Sequence, residues 1–338
     1  MAAMKAAVIG CGGNGRGHAL NARRLGIEVV GFCDVIPEAA ERVREELDGR
    51  YATTDADQIM RDDSIDLLYI GTHHDAHYPL ALAGAQGGKH MLLEKPMCIW
   101  REQAAEVAEA VEKAGVKVVI DHWFRNTPAA LKTRESIPHP RLSHGQLAMD
   151  NYGHKPPGGS SWVWDKDDGG GLLISTAVHT VDLLAYLMDS AGDRVYAEGR
   201  VFDRQNKGTE GYPDGLVGTI LWKSGALSTV ISTDQGMNPF VSKWFHEVWD
   251  GERSAVFSAH MRRADFSGCD VDYVDARELP EEEQRTTVGG YTMQVNLLEA
   301  IRTNGDTICN VHDGVRSVSI CNALDAAVRT GKPQTIQD

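Results

Sequence analysis

The chain has 338 residues, a length that corresponds to about two domains of ordinary size. Hydrophobic residues make up 42% and charged residues 24%, which provides enough apolar surface for buried cores and excludes disorder as the main state. The net charge is −14 and both halves of the chain are acidic, which argues against nucleic acid or an anionic membrane surface as a partner.

Neither a membrane span nor a secretory signal is expected. No stretch approaches ~20 consecutive apolar residues, and the segment MAAMKAAVIG runs directly into a predicted strand and a Gly-rich turn. The six cysteines are scattered without a Cys-x-x-Cys pair, which is typical of reduced thiols rather than of a disulfide framework or a cysteine zinc site. We therefore expect a cytoplasmic location.

Strand and helix patterns alternate through the first third of the chain. Short apolar runs predict strands at Lys5–Ile9, Glu28–Phe32, Asp66–Ile70, His90–Leu93 and Lys117–Ile120. Helical patterns lie between them, at Gly15–Leu25, from Pro37 onwards and before Gly115. This alternation predicts an α/β domain over residues 1–121, with right-handed crossovers and a parallel sheet covered on both faces.

The pattern changes after about Asp121. Gly, Pro, Trp and Asp crowd residues 151–171, which predicts a long loop, and a strong helix pattern follows at Thr176–Met188. Strand patterns with hairpin turns follow at Val195–Phe202, Leu216–Trp222, Ala226–Ser232 and Val241–Trp249. The remaining segments are, in order, a solvated acidic loop at 278–285 and helices at 291–302 and 311–329. Residues 122–338 therefore read as an α+β domain with a mostly antiparallel sheet.

A glycine-rich turn joins the first strand to the first helix. Gly10 permits the tight turn, Gly12 allows the backbone to approach a pyrophosphate, and Gly15 allows helix and strand to pack closely. Asp34 ends the second strand about 20 residues later, where an acid binds the adenosine ribose and repels a 2′-phosphate. This arrangement predicts NAD rather than NADP, the alternative being a glycine turn without a ligand.

Lys95 follows the predicted strand HMLL within the sequence LLEKPM. The Lys-Pro step favours an extended backbone at Lys95 and can direct its ammonium toward a cleft. Judged alone, a surface lysine before a turn proline is the favoured interpretation.

Several motifs stand together in this chain: Gly10-x-Gly12-x-x-Gly15-x-x-His18, the strand-end Asp34, THHDAH at 72–77, Glu94-Lys95-Pro96, and GGGLLISTAVHTVD at 169–182. With the closing pattern at 291–336, they resemble the Gfo/Idh/MocA family, which includes glucose-fructose oxidoreductase and myo-inositol dehydrogenase. The resemblance implies an N-terminal Rossmann domain, a C-terminal substrate-binding and oligomerisation domain with a large open sheet, NAD as cofactor, and a homodimer or homotetramer.

The resemblance also implies roles for individual residues. The predicted cofactor contacts are Gly10, Gly12, Gly13, Asn14, Gly15, Asp34, Thr72, His73, His77, Glu94 and Lys95. The predicted substrate contacts are Lys95, Arg125, His154, Trp162, Trp164, His179 and Asp182. No metal is predicted, because no carboxylate or cysteine at ligand spacing joins the histidines of THHDAH apart from Asp75.

Lys95 and His179 are the predicted catalytic residues. An ammonium beside the nicotinamide can stabilise a forming alkoxide, and His179, three residues before Asp182 on one helix face, is a candidate proton acceptor. The alternative for His179 is a core histidine bonded by Asp182. Ser175 stands where many family dehydrogenases have an aspartate, and it carries no charge to relay; it is a candidate helix cap.

Three further interpretations stay open. Trp162 and Trp164, near several aspartates, suit sugar stacking or alternatively a hydrophobic plug. Arg125 supports the active site or forms a domain-interface salt bridge. The aromatic stripe of Trp222, Trp244, Phe245 and Trp249 predicts sheet or subunit packing.

The leading function is an NAD(P)-dependent dehydrogenase, with NAD favoured, acting on a CH–OH group of a sugar, cyclitol or related polyol. One alternative is an NAD-dependent glycosidase-type cycle of transient oxidation and elimination. The other is a non-catalytic dinucleotide-binding regulator, against which Lys95 and His179 argue.

Overall fold

The computed structural model describes residues 4–149, 161–165, 167–202, 213–236 and 242–337. The strands in chain order are β1 (Lys5–Ile9), β2 (Glu28–Cys33), β3 (Tyr51–Thr53), β4 (Leu67–Ile70), β5 (His90–Leu93), β6 (Val118–Ile120), β7 (Leu142–Ala148), β8 (Gly192–Arg200), β9 (Gly215–Trp222), β10 (Leu227–Thr233), β11 (Trp244–Trp249), β12 (Ser254–Ser258), β13 (Arg263–Ser267), β14 (Tyr273–Asp275) and β15 (Gln334–Thr335). The helices are α1 (Gly13–Arg24), α2 (Pro37–Leu47), α3 (Ala56–Met60), α4 (His74–Gln86), α5 (Arg101–Ala114), α6 (Pro128–Ser136), α7 (Val178–Met188), α8 (Glu281–Thr287), α9 (Gly290–Thr303) and α10 (Val311–Thr330).

The chain divides into two compact units. The first contains Met1–Cys98, Glu102–Trp123 and Gly289–Gly314, and the second contains Ile99–Arg101, Phe124–Val288 and Val315–Asp338. Helix α9 near the end of the chain therefore packs within the first unit.

The first unit is built on a six-stranded parallel sheet in the order β3-β2-β1-β4-β5-β6. Its central strands are continuous apolar runs because helices cover both faces, and all four side chains of β4 are fully buried. The strand order reverses beside β1, and the carboxyl ends of parallel strands meet at one edge of the sheet, where such folds bind ligands. The predicted Rossmann-type α/β fold is confirmed.

The second unit is built on a nine-stranded sheet in the order β14-β13-β12-β11-β7-β10-β9-β8-β15. All its pairs are antiparallel except β7 with β10, so the predicted mostly antiparallel sheet is confirmed. Burial alternates along β10 and β11, as expected for a sheet with one covered face. Helix α7, which packs against β7, is buried at every residue.

The alternation splits the predicted aromatic stripe between two faces of this sheet. Trp222 and Trp244 are buried in the core, whereas Phe245 and Trp249 point to the opposite, half-exposed face. The two buried tryptophans fit the predicted sheet packing, and the other two aromatics lie on the other face because neighbouring residues of a strand face opposite ways.

Several elements differ from the sequence expectation. The segment 278–285 was predicted as a loop, but most of it belongs to helix α8. The first turn of α8 carries three glutamates, whose negative charges are stabilised by the positive N-terminal end of the helix dipole. The predicted helix at 176–188 is preceded by a π-helical turn at Leu173–Ala177. Strands β3, β7 and β12–β15 were missed, because they are short or carry polar residues that blur the apolar pattern. No helix among the described residues is both long enough and apolar enough to cross a membrane.

His246 lies inside the core of the second unit. Its side chain is 1% exposed, and its ring lies edge-on to Phe124 and Phe257 with centroids 6.4 and 6.3 Å away. Among the described residues, neither of its ring nitrogens has a hydrogen-bond partner. Burial, with a smaller contribution from the charge of His144, lowers the pKa of His246 to about 3. Its ring is therefore neutral in the folded protein.

We expect His246→Leu to make the second unit less sensitive to acid. The unfolded chain binds a proton at His246 below about pH 6.5 but the folded chain does not until about pH 3, so the stability present above pH 6.5 is lost as pH falls. Between pH 7.5 and 4.5 this linkage removes up to about 3 kcal/mol. Calorimetric unfolding across this range should show a smaller loss in the variant. An exposed control, His139→Leu, should lose as much as the wild type, and an equal loss in His246→Leu would contradict the prediction.

Candidate active site

The glycine turn between β1 and α1 has the geometry of an anion site. A Cβ atom added to Gly15 would lie 1.8 Å from the carbonyl oxygen of Gly10, so only glycine fits at this position. A Cβ atom on Gly12 or Gly13 would meet no atom within 4 Å, which leaves the backbone at the start of α1 open to a ligand. Free backbone N–H groups and the helix dipole favour phosphate at such a terminus.

The Asp34 carboxylate is fixed at the end of β2 by two backbone amides. Its Oδ2 atom accepts a hydrogen bond from the Cys11 amide at 2.7 Å, and its Oδ1 atom accepts one from the Ile36 amide at 2.9 Å. Each carboxylate oxygen has a second lone pair for a ribose hydroxyl. The next two residues, Val35 and Ile36, are 89% and 57% exposed. Sequence reasoning missed this apolar pair, although the run of two β-branched residues directly after the acid was the signal.

The loop after β4 divides the THHDAH residues into surface and core positions. Thr72 is half-buried and His73 is exposed at the start of α4, whereas His77 is fully buried. The Nδ1 atom of His77 donates to the carbonyl oxygen of Pro96 at 2.7 Å. Burial lowers the pKa of His77, with only partial compensation from this hydrogen bond and from the charge of Glu94. The neutral ring thus contacts the Lys95-Pro96 segment.

Glu94, Asp121 and His18 converge at the same edge of the parallel sheet. His18 Nε2 lies 3.0 Å from Glu94 Oε1 and 3.6 Å from Asp121 Oδ2, and all three side chains are buried. Burial favours the neutral form of His18, but the hydrogen bond with Glu94 and the two carboxylate charges outweigh it and raise the pKa of His18. Burial likewise opposes ionisation of Glu94, yet its bond to His18 lowers the pKa of Glu94 overall.

These contacts fix the residues on either side of Lys95. Glu94 is bonded to His18, and the Pro96 carbonyl is bonded to His77. Lys95 itself is half-buried and lies between two residues that are each bonded to a buried histidine. The spacing of residues along the chain could not predict the contact between His18 and Glu94. Because β5 and β6 are neighbouring strands, their order could have predicted that Glu94 and Asp121 lie side by side.

In the second unit, His179 lies on α7 within an aromatic cluster. The His179 ring stacks on Phe124 with centroids 4.9 Å apart and meets Trp244 edge-on at 5.7 Å. Phe124 and Trp244 also pack against each other at 5.0 Å. His179 is 7% exposed, so its ring orientation is set by these flat neighbours. Sequence reasoning had not assigned Phe124 to the site.

One helical turn later, Asp182 is held in a buried ion pair. Arg125 donates to both of its carboxylate oxygens, at 2.7 and 2.8 Å, and Ser317 donates its hydroxyl at 2.7 Å. The Arg125 guanidinium also lies 5.2 Å from the centre of the Tyr186 ring. Arg125 and Asp182, both predicted as substrate contacts, are buried within the second unit.

The remaining predicted residues of this unit occupy different environments. Ser175 is 1% exposed inside the π-helical turn, with its hydroxyl 3.2 Å from that of Thr176. The cap interpretation was wrong, because the helical path is already continuous at Ser175 and no side chain caps α7. Trp164 is buried and Trp162 is half-buried. His154 lies outside the described residues.

Comparison with known proteins yields relatives along nearly the whole chain. The chain is 27% identical over 320 residues to the 1,5-anhydro-D-fructose reductase of Ensifer adhaerens, covering 93% of each protein. It is 23% identical over 260 residues to the myo-inositol 2-dehydrogenase of Thermotoga maritima, covering 77% of this chain and 76% of that one. A solved levoglucosan dehydrogenase, in complex with NADH and levoglucosan, shares the fold with a TM-score of 0.87 at 20% identity over 99% of this chain and 100% of that chain.

Two family models match consecutive parts of the sequence. Residues 4–122 match the model of an oxidoreductase family with an NAD-binding Rossmann fold. Residues 141–238 match the Gfo/Idh/MocA C-terminal domain. The two matches together cover more than half of the chain, and the protein belongs to the Gfo/Idh/MocA family of NAD-binding oxidoreductases.

Proposed function

We propose that this oxidoreductase transfers a hydride between NAD and a hydroxyl-bearing carbon of a sugar, cyclitol or related polyol. The observation that supports it most is that both neighbours of the half-buried Lys95 are bonded to buried histidines, Glu94 through its carboxylate and Pro96 through its carbonyl. The relatives add a second argument, since by name they act on an anhydrosugar and on an inositol.

In this proposal NAD, when bound, accepts the hydride from the substrate carbon. Lys95 donates a hydrogen bond to the reacting oxygen and stabilises the alkoxide as it forms. His179 accepts the hydroxyl proton, which suits an imidazole whose ring plane is fixed by Phe124 and Trp244. For reduction of a carbonyl, both proton movements run in reverse.

We assign the cofactor to the open edge of the first unit. The backbone of the Gly10–Gly15 turn would bind the pyrophosphate, with Asn14 beside it, and Asp34 would bind the ribose hydroxyls. Val35 and Ile36, exposed next to Asp34, offer an apolar surface for the adenine ring. Thr72 and His73 remain proposed cofactor contacts.

Four predicted contact residues receive positioning roles instead. Glu94 and His77 are buried and bonded to neighbours of the reacting group, so we propose that they hold Lys95 rather than touch the cofactor. Arg125 and Asp182 are proposed to fix the register of α7 and hence the position of His179. Trp162, which is more exposed than Trp164, is the better candidate for stacking on a sugar.

We also propose that the protein assembles as a homodimer or homotetramer through the outward face of the second sheet. Cross-strand pairing aligns Leu221, Leu227, Leu142 and Trp249 in one apolar row on that face. Leu142 and Leu227 are 45% and 47% exposed, and Val217 on the same face is 59% exposed. A cytoplasmic location is proposed in addition, because the six cysteines are free thiols.

Asp34 should make the protein prefer NAD over NADP. We expect calorimetry to give tighter binding of NAD, because the carboxylate bonds the ribose hydroxyls and repels a 2′-phosphate. Asp34→Ser should narrow the preference by about tenfold or more, equivalent to about 1.4 kcal/mol. The control Asp55→Ser removes an exposed acid that caps α3 and should leave the preference unchanged. Equal or tighter NADP binding by the wild type would refute the assignment.

The catalytic assignment predicts unequal losses of activity. Lys95→Ala and His179→Ala should each lower kcat by ~10²–10⁴, the range for a positioned acid or base, whereas Ser175→Ala should cost ~10-fold or less. NAD affinity of His179→Ala should be nearly unchanged. Activity is measured as NADH absorbance over a panel of sugars and cyclitols with NAD.

Two outcomes would contradict these roles. A fully active His179→Ala variant would make the histidine structural, with His154 the next residue to test, and a Ser175→Ala variant as impaired as Lys95→Ala would give the serine the role of the missing acid. Glycoside cleavage without net NADH would replace the dehydrogenase with the oxidation–elimination cycle. Dinucleotide binding without turnover of any substrate would indicate a regulator.

The apolar face predicts an oligomer that a charge can disrupt. Light scattering at micromolar concentration should give a dimer or tetramer for the wild type, and Leu227→Lys should shift it toward the monomer because the ammonium would be buried unpaired. Val295→Lys, on an exposed position of α9, is the matched control and should leave the mass unchanged. A monomeric wild type would exclude this interface.

A further inference from the structure

We propose that His18, Glu94 and Asp121 form a buried network that exchanges one proton and thereby sets the net charge beside Lys95. This proposal rests on the proposed role of Lys95 in the reaction. The three residues lie within the first unit, and the network makes His18, Glu94 and Asp121 positioning residues rather than groups that touch the substrate.

The network is assembled from three separate elements. His18 comes from α1, Glu94 directly follows β5, and Asp121 directly follows β6. One ligand-type atom from each residue lies within 4.8 Å of the other two, and His18 Nε2 faces both carboxylates at 3.0 and 3.6 Å. A single proton on this nitrogen is therefore within reach of two acceptors.

Neighbouring elements close the network on its other sides. The Tyr69 ring lies parallel to the His18 ring with centroids 6.1 Å apart. Helix α9 approaches so closely at Gly290 that an added Cβ atom would lie 2.8 Å from the His18 ring and 3.1 Å from Asp121 Oδ2. Glycine at this position lets α9 cover the network, and burial makes an unbalanced charge costly there.

Charge balance decides how many protons the network holds. With all three groups ionised, one imidazolium would face two carboxylates and leave a net charge of −1 in a buried site. One additional proton on a carboxylate makes the cluster neutral. Burial, followed by the charge of Glu94, raises the pKa of Asp121 to about 7, so the extra proton resides on Asp121 below neutral pH and leaves above it.

Lys95 is linked electrostatically to this exchange. The other charged or titratable groups that face the carboxylates are Lys95 and His77, and the charge of Lys95 lowers the pKa of both Glu94 and Asp121. Such coupling is reciprocal, so an ionised Asp121 stabilises the Lys95 ammonium in turn. Loss of the proton from Asp121 above about pH 7 thus adds a negative charge that favours the ammonium form of Lys95, the form that would stabilise an alkoxide.

Gln294 contacts His18 on the Nδ1 side of the ring. Its Nε2 atom donates to the His18 carbonyl oxygen at 3.1 Å and lies 3.4 Å from His18 Nδ1. Its Oε1 atom is buried and has no partner among the described residues. In this orientation the amide NH2 group serves the His18 carbonyl oxygen, because only the nitrogen of the amide can donate.

The test compares Asp121→Asn with Asp62→Asn. Asp62 precedes β4 at the opposite edge of the sheet from Lys95 and accepts bonds from Ser64 and Tyr51, so it controls for loss of a bonded carboxylate. The readouts are the titration of His18, followed by NMR of protein with ¹³C-labelled histidine, and the pH dependence of kcat/KM. The His18 signal is assigned with His18→Gln.

We expect Asp121→Asn to lower the pKa of His18 by about one unit or more, the size of shift that a nearby opposite charge produces. The wild-type kcat/KM profile should show a limb near pH 7 that is absent from Asp121→Asn, with Asp62→Asn behaving as the wild type. Unchanged His18 titration and an unchanged limb in Asp121→Asn would overturn the proposal. If Asp121→Asn does not fold, the wild-type His18 signal must itself show a second inflection near pH 7, and its absence would have the same consequence.

Two further measurements separate the possible failures. A fully active Lys95→Ala variant would refute the proposed function while leaving the His18–Asp121 coupling measurable by NMR. Calorimetry with Zn²⁺ or Mg²⁺ tests the other use of such a cluster. Stoichiometric binding by the wild type that Asp121→Asn abolishes would make it a cation site and overturn proton sharing.

Discussion

The hydrogen bond between His18 and Glu94 ties the first helix to the end of β5, and the local geometry of the candidate chemistry depends on it. Helix α1 is already fixed at its start by the glycine turn, so this bond links the anion site to the segment that carries Lys95. Because both partners are buried, removing one would leave the other unpaired in a site with little water, a change that costs about 3–5 kcal/mol for buried pairs. The same bond therefore contributes to folding and to the placement of Lys95.

The second unit uses a different kind of buried charge. Arg125 and Asp182 form a bidentate pair completed by Ser317, so every charge there is balanced and its geometry is specified by several bonds. The guanidinium stays charged at any physiological pH, so this ion pair holds α7 in place at every physiological pH. The Arg125–Asp182 pair can therefore orient His179 through α7, but it is not suited to transferring a proton.

Much of the fold could be predicted because its signals are local. Apolar runs bounded by glycine predicted β1, β2, β4, β5 and β6 with their order along the chain, and the motifs predicted the family. The missed strands of the second unit, such as β7 with its sequence LSHGQLA, alternate polar and apolar residues weakly. Their pairing depends on partners far along the chain, as in the parallel register of Leu142 with Leu227.

The candidate site was predicted less completely for the same physical reason. The motifs indicated that Glu94, His77, Arg125 and Asp182 belong to the site. They could not indicate that these side chains would be buried and hydrogen-bonded to other protein groups. Burial is a property of the packed structure. A buried, hydrogen-bonded residue is better suited to positioning its neighbours than to contacting a ligand. Phe124 and Trp244 show the converse case, since nothing in their local sequence separates an aromatic residue that orients a histidine from one that fills the core.

The residue at position 175 affects where titratable charge lies in the protein, because a serine carries none. Ser175 is buried next to Thr176, so the π-helical turn ahead of α7 carries two neighbouring hydroxyl groups. Hydroxyl groups do not titrate near neutral pH, and Asp182 is paired with the permanently charged Arg125. A buried acid whose proton can leave near neutral pH is Asp121 in the first unit. A pH response of the reaction would consequently arise beside Lys95, from the network that holds it, and not from a carboxylate at position 175.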